Sequence, residues 1–335
     1  MQSIAGGGGI YTTGDNAHGV IAQSLGAPGS LGGYGDGSFA GAMHSFTSGS
    51  TEEPLNYSTG VSLELNGTVQ VQGQNSWGVF AQSYGAQRVG NTLPPVGISV
   101  SGVVSGGQTL AGQSPTGGAI WIDSISRVPG GLTNLVIIQL GGKVSGQAGL
   151  AGIQYTGDGF TRISNQGELD GNLLGPTASS TALSLSNQGS FSGATQVHGH
   201  IFSQGQVTVG AGLARDTLRV MGDYIQDSQG WLNIGTDFVP GAADQLQVEG
   251  RASLQGRVRV LASSLVPTRE LGFLQAHELS SDLTAQGRSD LFTYRVHQSG
   301  SSLGLSVDQA RFRQMTSVYG LGQNLGAVRQ HLQDI

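Results

Sequence analysis

The chain of 335 residues carries 58 glycines, 37% hydrophobic residues, only 11% charged residues and a formal net charge of −6. Nine prolines without a triplet period exclude a collagen-like fibre, the aliphatic content argues against a disordered chain, and the acidic balance with a single lysine, Lys143, argues against a nucleic-acid partner. Cysteine is absent, which removes disulfides, thiolate metal sites and cysteine nucleophiles, and no apolar run approaches the ~20 residues of a transmembrane helix.

The opening of the chain is repetitive. Residues 14–27 (GDNAHGVIAQSLGA) and 73–86 (GQNSWGVFAQSYGA) share Gly14/Gly73, Asn16/Asn75, Gly19/Gly78, Val20/Val79, Ala22/Ala81, Gln23/Gln82, Ser24/Ser83, Gly26/Gly85 and Ala27/Ala86. Gln2-Ser3-Ile4 aligns with Gln23-Ser24-Leu25 as a broken third copy, so the chain is expected to begin inside a repeat, 21 residues from the next copy. Self-similarity at this period is the signature of a solenoid. In the long repeat, Val and Ala are expected to face the core and Gly to mark the corners. Asn16 and Asn75 are expected to form an internal side-chain ladder.

Residues 28–60 fit the repeat least well. The 59 residues between the two long copies are read as two coils plus about fifteen extra, with a loop near 40–60. Farther along, one phrase recurs: Asn66-Gly67-Thr68-Val69-Gln70-Val71, Asn165-Gln166-Gly167-Glu168-Leu169-Asp170, Asn187-Gln188-Gly189-Ser190-Phe191-Ser192, and a weaker Gln204-Gly205-Gln206-Val207-Thr208-Val209. Each holds one short strand. Period-two alternation puts Leu169, Phe191, Val207 and Val209 on one face. A coil of 21–22 residues holds about three such strands, giving roughly twelve coils and a rod on the order of 55 Å at the ~4.8 Å strand spacing.

Alternation is cleanest at 244–260, where Leu246, Val248, Gly250, Ala252, Leu254, Gly256, Val258 and Val260 share one parity. Leu246, Val248, Leu254 and Trp231 are expected to be buried at this end. Phe292, Tyr294 and Val296, then Leu303, Leu305 and Val307, predict an antiparallel hairpin, one way to close the open edge of a solenoid. Met315, Val318, Leu321, Leu325, Val328, Leu332 and Ile335 recur at spacings of three and four and predict a C-terminal helix.

Within 205–312, three pieces stand in order: Leu218-Arg219-Val220-Met221-Gly222-Asp223-Tyr224, Gly230-Trp231-Leu232-Asn233-Ile234, and Asp244-Gln245-Leu246-Gln247-Val248-Glu249-Gly250-Arg251-Ala252-Ser253-Leu254-Gln255-Gly256. They resemble the C-terminal passenger region of bacterial type V autotransporters with pertactin-like passengers. The Ala-Gln-Ser repeats look like those of large, Gly-rich passengers of the same class. The resemblance implies an all-β, right-handed parallel β-helix over 1–214, an autochaperone cap over 215–312, and a helical segment at 313–335 leading to an outer-membrane barrel. It also implies that the barrel is a partner, that a host or neighbouring cell surface is another, and that the passenger is exported through the periplasm to the cell surface.

Several strings could carry chemistry. Gly300-Ser301-Ser302-Leu303-Gly304 matches a nucleophile-elbow pattern, but strands flank it on both sides, so a hairpin turn is favoured. His198 and His200 could offer two imidazoles to a metal, yet no neighbouring ligand completes a shell. Gly32-Gly33-Tyr34-Gly35-Asp36-Gly37 is close to a calcium-binding nonapeptide without a second copy. Gly6 to Gly9 lack the Lys-Ser/Thr of a phosphate loop. Trp77, Trp121 and Trp231 could stack on sugars if aligned, but share no coil period. No catalytic residue, cofactor or metal ligand is assigned. The expectation is a structural or adhesive stalk whose C-terminal part promotes folding during outer-membrane secretion. A β-helical polysaccharide hydrolase or lyase and a self-associating aggregation factor are the alternatives.

Overall fold

The computed structural model describes residues 2–4, 8–25, 60–84, 94–107, 116–125, 133–146, 149–157, 159–177, 181–210, 215–264, 270–287 and 292–310. Every regular element among them is a β-strand. The strands form a parallel β-helix in which each coil lays one strand on each of three faces. The first face runs from Gln2–Ile4 through Val61–Leu65, Val96–Val100, Thr133–Ile138, Phe160–Asn165, Leu183–Asn187 and Gly199–Ser203 to Tyr224–Gln226. The second runs from Gly9–Thr12 through Thr68–Val71, Val103–Gly106, Lys143–Gly146, Glu168–Asp170, Ser190–Ser192, Gln206–Thr208, Trp231–Asp237 and Arg257–Ser264 to Thr284–Gly287. The third runs from Val20–Leu25 through Trp77–Tyr84, Gly118–Ile125, Ala151–Gly157, Asn172–Leu174 and Gln196–Val197 to Thr217–Val220.

The interior follows from period-two alternation. Leu63, Ile98, Val136, Ile163, Leu185 and Ile201 are in register and buried on the first face. Val104, Val144, Leu169, Phe191, Val207, Leu232 and Val258 do the same on the second, and Val79, Ile120, Ile153, Leu173, Val197, Val220 and Val248 on the third. β-Branched side chains suit such columns because the pleat fixes their one preferred rotamer against identical neighbours above and below. The expected placement of Leu169, Phe191, Val207 and Val209 in the core holds.

Toward the C-terminal end the corners flatten. Gln245–Leu254 is one strand that serves two faces, pairing with Thr217–Val220 through its first half and with Tyr224–Gln226 through its second. Glu270–Ser281 stacks on it in parallel along both halves. The next neighbour, Ser302–Ala310, pairs with Glu270–Ser281 in the antiparallel sense, matching Leu274 with Leu303 and Leu271 with Leu305, and Phe292–Ser299 pairs antiparallel to that. This is the antiparallel cap expected from sequence. Gly300 turns the hairpin at φ 57°, a first-position glycine suited to a tight two-residue connection.

Four expectations are corrected. Val20 pairs directly with Val79, and Gln23 with Gln82, so the 59 residues between the long repeats form one coil and not two. Gln2–Ile4 pairs with Leu63–Leu65 on the first face, so its likeness to Gln23-Ser24-Leu25 on the third face is not a coil repeat. Coil length is not fixed at 21–22 residues: 22 separate Asn165 from Asn187, 16 separate Asn187 from Ser203, and 38 separate Ile98 from Val136. The faces must stay in register to share their hydrogen bonds, but a connection may be any length, so the chain varies in the passages from second face to third and from third to first. As a result the described residues stack ten strands on the second face, and nine steps of ~4.8 Å make about 43 Å. Fourth, Leu246, Val248 and Leu254 are buried but Trp231 is only partly so, because it has the outward parity of its strand. The predicted helix at 313–335, the long loop near 40–60 except Gly60, and Gly32 to Gly37 lie outside the described residues.

Candidate functional site

The motifs that stand out in the sequence are the joints of the stack. In the Asn-Gln-Gly phrase, Asn165 Nδ2 donates to Asn187 Oδ1 at 2.8 Å and Asn187 Nδ2 donates to Ser203 Oγ at 3.2 Å, all buried. Gln166, Gln188 and Gln204 form a parallel, exposed ladder beside them. A Cβ on Gly189 would lie 2.1 Å from the Gly167 carbonyl oxygen, which accepts the Ser190 amide, so this corner admits only glycine. In the long repeat, Asn75 Nδ2 donates to Asn16 Oδ1 at 2.8 Å, so the expected ladder forms, but on the exposed surface and not internally, and both residues have positive φ (52° and 56°). Val79 and Ala81 face the core as expected. Gly19 and Gly78 are not corners: a Cβ there would meet Val69 and Val104 side chains and a neighbouring carbonyl, so they are places where coils approach closely.

The autotransporter-like phrases behave the same way. Asp223 Oδ1 accepts the Arg251 amide at 2.8 Å, the Asp223 amide donates to His200 Nδ1, and Tyr224 is fully buried with its hydroxyl on Gln226 Oε1. Burial pushes the Tyr224 phenol far above its ordinary range. Asp244 is buried and accepts three backbone amides: Arg215 and Asp216 at 3.0 Å on Oδ1, and Gly235 at 2.7 Å on Oδ2. It thereby pins Arg215, a non-glycine residue at φ 130°. Burial raises the Asp244 carboxyl above the usual range. The three amides pull it down by less, and the Asp216 carboxylate adds to the rise.

The strings with possible chemistry resolve into structure. Gly300-Ser301 is the hairpin turn. His198 Nδ1 accepts the Gly175 amide at 3.2 Å and His200 Nδ1 accepts the Asp223 amide at 3.0 Å, so each ring holds a neighbouring coil in place. No group of three or more His, Cys, Asp or Glu gathers among the described residues. Of Gly6 to Gly9, Gly9 opens a second-face strand, and Gly6 and Gly7 lie outside the described residues.

The tryptophans divide. Trp77 and Trp121 meet on the third face with ring centroids 5.7 Å apart, and Phe80 lies 4.6 Å from Trp121. Beside them Gln23, Gln82, Asp123, Thr156 and Trp121 Nε1 form one hydrogen-bonded line across four coils. Trp77 and Phe80 are buried, so this cluster is packing and not an open stacking platform.

Trp231 belongs to the second face. Its outward side carries polar columns: Tyr11, Gln70, Ser105, Ser145, Asp170 and Ser192 in register, then Thr208, Asn233, Arg259 and Gln286 in register. Two clefts open on it and share Thr208. One, of about 460 Å³, includes Asp170, Ser192, Thr195 and Asp216. The other, of about 400 Å³, is lined by Thr208, Asn233, Arg259, Leu261, Gln286 and Gly287. Sequence spacing gave no carboxylate pair, yet the stack brings Asp170 and Asp216, two coils apart, into one cleft. Both Asp170 oxygens are engaged by the hydroxyls of Ser145 and Ser192. Arg259 of the second cleft and Arg257 both lie over the Trp231 ring, at 4.4 and 4.9 Å from its centroid. No helix among the described residues is long and apolar enough to cross a membrane. Comparison with known protein families, curated proteins and solved structures returns no match for this chain.

Proposed function

We propose that this chain is the stalk of a surface-exposed or secreted passenger, structural and adhesive in role, whose C-terminal region promotes folding of the rest. The observation that carries the reading is the asymmetry of the stack. Parallel coils repeat without interruption along three faces, and one end is closed by the antiparallel strands Ser302–Ala310 and Phe292–Ser299. A solenoid grows by adding coils to an existing edge, so a closed and well-packed end is the natural template from which the others can stack. The absence of cysteine fits export of an unfolded chain through an oxidising compartment. No residue is given a catalytic role.

The test is display. Joined to a signal peptide and an autotransporter barrel, the chain is expected to reach the outside of intact cells in a form that resists added protease. Leu246→Ala, which removes a fully buried side chain near the cap, is expected to lower the protease-resistant fraction more than Val104→Ala far from it. Retention inside the cell, or equal losses from both substitutions, would overturn the reading.

A further inference from the structure

We propose that the second face holds a binding site for an anionic sugar, a polyhydroxylated ring bearing a carboxylate, in the cleft between Thr208, Asn233, Arg259 and Gln286. The proposal stands apart from the stalk reading, since it concerns this cleft alone.

Three observations converge. First, Arg257 and Arg259 are both held over the single ring of Trp231, and neither has an ion-pair partner among the described residues, whereas Arg219 and Arg295 are paired with Glu249 and Asp308. Two guanidiniums on one ring repel each other, and the ring quadrupole offsets part of that cost, so Trp231 acts as a positioning residue for two like charges. Such an arrangement is built to receive an anion, and the planar guanidinium matches a carboxylate in a bidentate fork.

Second, Asn233 lines the same cleft, is only 6% exposed, and has a buried Oδ1 with no hydrogen-bond partner, while its Nδ2 donates to Thr208 Oγ1 at 2.8 Å. Turning the amide over would hand Oδ1 to the Thr208 hydroxyl and leave Nδ2 unpaired instead, so one amide atom lacks a partner in either orientation. An unpaired buried amide is costly and is relieved by a ligand hydroxyl, which can donate or accept. A bare inorganic anion supplies no donor for Oδ1, so the oxyanion must sit on a hydroxylated frame.

Third, the cleft is of the right size and wall chemistry. Its volume of about 400 Å³ lies in the range of small-ligand sites. Exposed Gln286 adds an amide that both donates and accepts, and Leu261 adds apolar surface. The adjoining cleft carries Asp170 and Asp216, which disfavour a second anion there. A short uronate with one carboxylate on the arginines is therefore the ligand, and a long polyanion is not. A nucleic acid is a poor fit, since two arginines on an acidic chain give too little phosphate neutralisation.

Calorimetric titration of the whole chain with a tri-galacturonate at low salt tests this, beside the neutral trigalactose and sodium acetate as probes. Saturable binding of the uronate is expected, with the neutral sugar and acetate weaker by about tenfold or more. Arg259→Gln and Gln286→Ala, both outward-facing, are expected to weaken uronate binding while leaving the unfolding midpoint unchanged, the arginine change by about tenfold. Trp231→Ala is expected to weaken the charged ligand without altering the already weak binding of the neutral one. Arg219→Gln, on the third face, is expected to leave affinity unchanged. Absence of saturable uronate binding, equal affinity for trigalactose, acetate binding as tight as the uronate, or full affinity in Arg259→Gln would each overturn the proposal.

Discussion

Asn16 and Asn75 illustrate what one residue contributes to this molecule. Each sits in the left-handed backbone region and bonds its counterpart in the next coil. Asparagine tolerates that region better than other side-chain-bearing residues. Asn75→Ala is therefore expected to lower stability by about 1–2 kcal/mol, and Asn75→Gly by less, because glycine removes the strain though not the lost bond. Urea midpoints of the two variants check this; equal losses would count against backbone strain as the cause. Asp244 makes a prediction about pH. Its folded carboxyl is raised above the unfolded value, chiefly by burial. The folded state thus holds the proton more tightly, and the stability this contributes is fully present below the unfolded pKa and lost as pH rises through the folded one. Relative to Asp244→Asn, the parent protein should gain stability as pH falls from neutrality into the carboxylate range. A pH-independent difference between the two would contradict the assignment. The asparagine ladder is legible in the sequence because the same residue recurs at the same place in a repeat. Asp244's role is not, because its amide partners on Arg215, Asp216 and Gly235 come together only when the coils stack. Arg257 and Arg259 were equally silent, since cation–π contact with Trp231 depends on strand register.

At the scale of the strand, parity decides cost. Leu246 points into the core and Trp231 points out, although both belong to conspicuous apolar phrases. Leu246→Ala is expected to destabilise the protein by about 2–5 kcal/mol, the range for a buried leucine leaving a cavity. Trp231→Ala opens no cavity in the core and is expected to cost less, despite the larger side chain. Paired denaturation curves test this, and a greater loss at Trp231 would place its ring in the interior. Strand identity and inward parity are readable from Leu246 to Val260 because the alternation runs on through the corner at Gln255-Gly256. Pairing partners were harder. Val20 and Val79 are neighbours across 59 residues while Asn187 and Ser203 are neighbours across 16. Sequence periodicity measures strand plus connection, and only the strand is constrained by hydrogen bonding. Hence the repeat identified the solenoid and misjudged its coil length. The flattened corner at Gly250 follows a steric cause: a Cβ there would lie 2.4 Å from Asp223 Oδ1 and 2.9 Å from the Gly222 carbonyl oxygen.

As a whole the molecule is a stack with unequal ends. The interior columns are continuous on three faces, while the second face keeps a polar exterior with two clefts side by side. Because each coil touches only its neighbours, stability and folding order are properties of position along the axis. At one end Gln245–Leu254 and Glu270–Ser281 pair in parallel along their length, and the antiparallel strand Ser302–Ala310 covers the first half of Glu270–Ser281. Coils near the opposite end have no such closure among the described residues and depend on what is already stacked. The direct test is pulsed hydrogen exchange during refolding of the full chain. Amides of Gln245–Leu254, Glu270–Ser281 and Ser302–Ala310 are expected to gain protection first, followed in order by Leu183–Asn187, Val96–Val100 and Val61–Leu65. Simultaneous protection of all coils, or protection beginning at Val61–Leu65, would contradict a stack that grows from its capped end.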